Sequence, residues 1–155
     1  MSYIVRNAYR KYEDKLFSYG LSEDEVRAAR LRMDFFNRTI VSRNTHTFNT
    51  KPECDWAYIA KREYHYDVLI KAVVDGLIAG NVACSAMMFY HKRFVWIPFV
   101  PVAFFAAWYR YPVLFLKHNK KLFDMCNLGE EYELGYQRNI VLAKCNKILG
   151  REDFQ

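Results

Sequence analysis

Two apolar stretches decide the fold: Ala72–Tyr90, AVVDGLIAGNVACSAMMFY, and Phe94–Leu116, FVWIPFVPVAFFAAWYRYPVLFL, joined by His91-Lys92-Arg93. As a helix the first stretch is about 28 Å long, close to the roughly 30 Å hydrocarbon core of a bilayer. The second is uncharged from Phe94 to Tyr109 and apolar again from Val113 to Leu116. Aromatic residues gather at both ends, Phe89, Tyr90, Phe94 and Trp96 by the bend and Trp108, Tyr109 and Tyr111 at the other, as two interfacial belts would require. The pattern predicts an all-α protein in which residues 67–116 form a two-helix transmembrane hairpin, with amphipathic helical arms at 1–66 and 117–155.

Charge follows the same division. Residues 67–116 carry six charged side chains, Asp67, Lys71, Asp75, Lys92, Arg93 and Arg110, and the arms carry the other 34. The net charge of +6 is spread along the chain without a block of five like charges, which argues against nucleic acid as a partner. Cys54, Cys84, Cys126 and Cys145 form no C-x-x-C or paired spacing, so neither a disulfide framework nor a zinc site is expected.

The arms read as helices. In the first, Tyr9, Tyr12, Leu16 and Tyr19 recur at helical spacing, and Arg6, Arg10 and Lys11 precede any acid, a faint likeness to a mitochondrial targeting helix. Ser22 with Glu25 forms a capping box, and Leu21 with Val26 a hydrophobic staple. Val26, Ala29, Met33, Phe36 and Ile40 then make one apolar stripe. Residues 42–51 read as a loop, and Pro52 suits the first turn of a helix that meets no breaker before Gly76. Tyr64 and Tyr66 are expected at a membrane interface. After the break at Asn127–Gly129, Glu130–Leu149 reads as a last helix with the stripe Leu134, Val141, Cys145 and Ile148.

Three groups of residues are candidates for function. Ala72, Gly76, Gly80 and Cys84 recur every fourth place and form a helix-packing face, either for the second helix or for a partner subunit. Asp75 and Arg110 lie at similar distances on either side of Arg93 and therefore at similar depth. Isolated intramembrane charges are expensive, so the two are expected to pair, with Lys71 competing for Asp75. Arg110, Lys117, Lys120 and Lys121 could hold an anionic headgroup such as cardiolipin. His46, His65, His91 and His118 are scattered, and there is no G-x-S-x-G, phosphate-binding glycine loop or H-E-x-x-H. No catalysis, metal, cofactor or small-molecule substrate is expected, and the partners are lipid and other subunits.

Lys61, Arg62, Lys71, Lys117, Lys120 and Lys121 flank the outer ends of the hairpin, against Lys92 and Arg93 at the bend, so both termini are expected on the inside face. This layout of basic arms, short hairpin and no catalytic set resembles the small supernumerary subunits of mitochondrial inner-membrane respiratory complexes. That resemblance implies a structural role in the assembly and stability of a large complex, with both termini in the matrix. Other likenesses stay open. The glycine-bearing helix resembles those of the mitochondrial inner-membrane translocase family, which has four helices. Ala8-Tyr9-Arg10 resembles the Leu-Tyr-Arg signature of small mitochondrial assembly factors, with alanine for leucine. An ATP synthase accessory subunit and a soluble, basic helical protein of the mitochondrial ribosome are the remaining alternatives.

Overall fold

A computed structural model describes residues 20–151. The first helix expected around Tyr9, Tyr12, Leu16 and Tyr19, the basic residues Arg6, Arg10 and Lys11, and the Ala8-Tyr9-Arg10 triplet lie outside them. The described residues form helices and turns, with no strand among them.

Helix α1 spans Glu23–Phe36 and starts as its capping box dictates. The Ser22 hydroxyl accepts from the Glu25 amide at 3.3 Å, and the Ser22 amide donates to the Glu25 carboxylate at 2.9 Å. That amide, and the Ser22 hydroxyl donating to the same carboxylate oxygen at 3.1 Å, hold the Glu25 carboxyl below its ordinary pKa. The helix ends in a wide π turn, Asn37–Val41, and a 3₁₀ turn, Thr45–Thr47, follows. Helix α2, Lys51–Tyr64, has Pro52 in its first turn, where a missing N–H is harmless. A second π turn, His65–Ile70, joins it to α3, Lys71–His91, making one continuous helix of 41 residues. Lys92 ends α3 in the left-handed conformation, φ 52°. Helix α4 spans Phe99–Asp124 and α5 spans Glu133–Ile148.

The sequence-derived limits of α4 differ at both ends. Its first turn waits until after Pro98, whose carbonyl accepts from the Val102 amide at 3.1 Å, while the Phe99 amide closes a turn onto Trp96. Pro101 then falls in the first turn and breaks no internal bond. At the far end nothing stops the helix at Leu116, because Leu122 and Phe123 supply a further buried face.

The chain divides into two compact units, residues 1–63 with 116–155, and residues 64–115. The two sequence arms thus contribute to one unit. In that unit α1 packs on α5, and the Cys145 thiol donates to the Ala28 carbonyl at 3.5 Å. Phe36, Ile40, Leu122, Phe123, Leu134 and Cys126 are buried, and Phe35 meets Phe123 edge-on at 5.5 Å. Each such large side chain contributes about 1.5–3 kcal/mol by leaving water. Burial on α1 and the π turn after it is wider than the expected stripe. Ala29, Met33, Phe36 and Ile40 are inside, joined by Ala28 and Phe35, while Val26 is half-buried.

On α5, Leu134 and Cys145 are buried, whereas Val141 and Ile148 are half-buried. The buried position between them goes to Arg138. Its guanidinium lies 5.0 Å from the Phe123 ring centroid and pairs with Asp124 at 3.5 Å. Glu53, 1% exposed, accepts from the Thr50 hydroxyl at 2.7 Å and from the Leu134 amide at 3.1 Å, so a carboxylate on α2 caps the start of α5.

Candidate functional site

The unit of residues 64–115 is built on a stripe of every fourth residue: Tyr64, Val68, Ala72, Gly76, Gly80 and Cys84, all buried. An α-helix turns every 3.6 residues, so a four-residue repeat drifts around it. The wider π turn at His65–Ile70 takes up part of that drift and keeps Tyr64 and Val68 in line with Ala72. The glycines matter because α4 comes close. A Cβ at Gly76 would stand 2.5 Å from the Ala103 carbonyl oxygen and 2.8 Å from the Ala107 methyl. At Gly80 it would stand 3.0 Å from both the ring and the carbonyl oxygen of Phe99. The Cys84 thiol donates to the Trp96 carbonyl at 3.7 Å. The small-residue face is therefore occupied by residues of the same chain.

Polar side chains mark the margins of this contact. Arg110 Nε donates to Asp75 Oδ2 at 2.7 Å, with the two side chains 45% and 38% exposed. They border a shallow groove with Ile78, Ala79, Ala106 and Tyr109. Lys71 does not compete for Asp75. It donates instead to Asp67 at 3.0 Å, also four residues away, on the N-terminal side, which leaves the Asp75 carboxylate to Arg110. Tyr64 is 3% exposed, its hydroxyl lies 2.6 Å from that of Tyr111, and its ring meets Phe115 edge-on at 5.4 Å. Tyr66 is exposed. Tyr64 had a legible signal, since it extends the four-residue stripe backwards through Val68.

Of the cations considered for a lipid headgroup, Lys117 and Lys120 are exposed, while Lys121 pairs with Glu63 at 3.1 Å and Arg110 with Asp75. Among the described residues no group of three or more His, Cys, Asp or Glu side chains is placed to hold a metal ion.

The outward surface of this unit is apolar. Val73, Val82, Phe89, Val100, Phe104 and Phe105 are each more than half exposed. Lys51–His91 and Phe99–Asp124 are both long and apolar enough to cross a membrane. Only 28% and 17% of their most apolar windows are buried. Comparison with models of known protein families gives no match, and comparison with curated protein sequences gives none either.

Proposed function

We propose that the protein is a structural, non-catalytic subunit of a mitochondrial inner-membrane respiratory-chain complex, held in the bilayer by α3 and α4 as a two-pass helical hairpin. The observation that carries the membrane placement is the exposed apolar surface of these helices. A soluble core helix would have that surface covered, and soluble monomers rarely expose apolar patches beyond a few hundred Å². Pairs such as Gly80 with Phe99, Gly76 with Ala107 and Asp75 with Arg110 run in opposite chain directions and support antiparallel spans.

The rings of Phe89, Tyr90 and Phe94 beside the bend, and of Trp108 and Tyr109 towards the other end, suit the two interfaces. The excess of Lys and Arg at the outer ends over the bend favours both termini on the matrix side. The respiratory complex is supported by the layout, in which a short hairpin joins a helical unit that has its own core. Within such a complex the helical unit grips neighbouring matrix-side subunits, and lysines such as Lys117 and Lys120 meet anionic lipid.

Alkaline carbonate extraction of mitochondria followed by native-gel migration tests this reading. The expected result is retention in the membrane pellet and migration with an assembly far larger than the chain. Release into the supernatant would end the membrane reading. Retention with migration as a free chain would end the subunit reading. In sealed, oriented inner-membrane vesicles, both termini should be cut or spared together, according to which face is outward.

A further inference from the structure

The groove beside the Asp75–Arg110 pair is polar at one end and apolar along the rest. Arg110 spends only its Nε on Asp75, and Asp75 spends only its Oδ2 on Arg110. Among the described residues, no hydrogen bond reaches the two terminal nitrogens of that guanidinium or the Asp75 Oδ1. Each charge is thus held in place by the other and keeps hydrogen-bonding capacity in a groove that both residues line. The apolar floor lies on one side of the pair. Ile78 and Ala79 follow Asp75 by three and four residues, one turn nearer the bend. Ala106 precedes Arg110 by four, again one turn nearer the bend. Asp75 stands three residues, about 4.5 Å, inside the start of the apolar run at Ala72. In a bilayer crossed by α3 and α4 the charges therefore sit near the edge of the hydrocarbon, and the floor descends from them towards its middle. That is the order of head and tail in a phospholipid.

We propose that this groove binds one phospholipid with an ethanolamine headgroup. Its phosphodiester accepts from the terminal nitrogens of Arg110, its ammonium donates to Asp75, and one acyl chain lies over Ile78, Ala79 and Ala106. Charge decides the headgroup. The Asp75–Arg110 pair is neutral as a unit, so a headgroup of net negative charge leaves an unbalanced anion at the edge of the hydrocarbon. Within residues 64–115 no other lysine or arginine stands ready to balance it. Lys71 is engaged by Asp67, and Lys92 and Arg93 lie at the bend, about 25 Å along the helix from Asp75. A zwitterion offers each member of the pair its opposite charge and leaves the site neutral. Among zwitterionic headgroups, a primary ammonium donates hydrogen bonds to a carboxylate, whereas a trimethylammonium has none to give. The inference rests on the membrane placement proposed above.

The test places the full chain in vesicles of phosphatidylcholine, phosphatidylethanolamine and phosphatidylglycerol in equal parts, and reads the lipid it retains by native mass spectrometry after gentle release into detergent. The wild type is expected to keep one phosphatidylethanolamine, about 3- to 15-fold in excess of either competitor, the range of hydrogen bonds made within a bilayer. D75N keeps an acceptor for Arg110 but removes the negative charge, and should move the preference to phosphatidylglycerol. A79L fills the floor and should lower retention of all three lipids. A photoreactive amino acid in place of Ala106 should capture lipid in native membranes. Three results on the wild type would overturn the site: no retained lipid, equal retention of the three, or preference for phosphatidylglycerol. An ethanolamine preference unchanged in D75N, retention unmoved by A79L, or capture of a protein at residue 106 in place of lipid would overturn it too. Carbonate extraction of the wild type separates this proposal from the one it rests on. A chain that stays in the membrane without selecting ethanolamine lipid refutes the site and leaves the membrane placement standing, whereas release into the supernatant ends both.

Discussion

Replacing Gly76 by alanine tests the contact between α3 and α4 most directly, because the two glycines of the stripe meet α4 at different distances. A methyl at Gly76 would lie 2.5 Å from the Ala103 carbonyl oxygen, where ordinary contact begins at 3.4 Å, so about 0.9 Å must be made up. The obstacle is backbone within a helix and moves only if α4 moves. At Gly80 the nearest atoms stand at 3.0 Å, a deficit of about 0.4 Å, and one of them is a ring carbon that can tilt.

Overpacking of this kind costs about 1–3 kcal/mol, against a helix-propensity gain of about 1 kcal/mol for alanine over glycine. G76A takes the upper part of that range and should lose about 1–2 kcal/mol net. G80A takes the lower part and should fall within about 0.5 kcal/mol of wild type. The assay is reversible unfolding of the full chain in mixed micelles, followed by tryptophan fluorescence. Adding A107G to G76A removes the methyl 2.8 Å away but leaves the Ala103 carbonyl, so recovery should be partial. If G80A is the more damaging change, or G76A is neutral, the close approach of α4 at Gly76 is wrong.

Removing one partner of the Asp75–Arg110 pair should destabilise the chain by about 1–3 kcal/mol, less than the cost of a charge at the bilayer centre. The D75A/R110A double variant should lose clearly less than the two single changes added, and simple additivity would rule out coupling. E53A leaves the Leu134 amide and the Thr50 hydroxyl without their shared acceptor, at about 1–3 kcal/mol in chemical denaturation, while E53Q keeps an acceptor and should lose less. Burial pushes the Cys126 thiol up to about 12 and also raises that of Cys145. Maleimide at neutral pH should therefore label Cys54 well before either. Because the unfolded Cys126 thiol ionises near 9 and the folded one near 12, the fold favours the neutral form, and stability should decline as pH rises above about 9. Equal labelling rates at the three cysteines in the folded chain would contradict the burial.

What the sequence by itself determined is whatever a single segment can encode. The Ser22–Glu25 box and the acids behind it start α1 without help, since a cap and its partner are three residues apart. The length and apolar content of residues 72–116 make two helices able to cross a membrane, because hydropathy is a property of each helix alone. Counting from the bend is enough to bring Asp75 and Arg110 to one depth.

Tertiary structure decided the choice among partners equally available along the chain. Lys71 could reach a carboxylate on either side and takes Asp67, leaving Asp75 to Arg110. Tyr64 turns inward to Tyr111, forty-seven residues on, and Glu53 caps a helix eighty-one residues away. Arg138 is buried because the Phe123 ring and its carbonyl wait there, which no spacing on α5 discloses. Even the small-residue stripe named a surface and not its occupant. Gly76 and Gly80 permit any backbone to come near, and only the packed chain shows that α4 does. Local propensity acts through neighbours in sequence, whereas these pairs depend on which surfaces exclude solvent together.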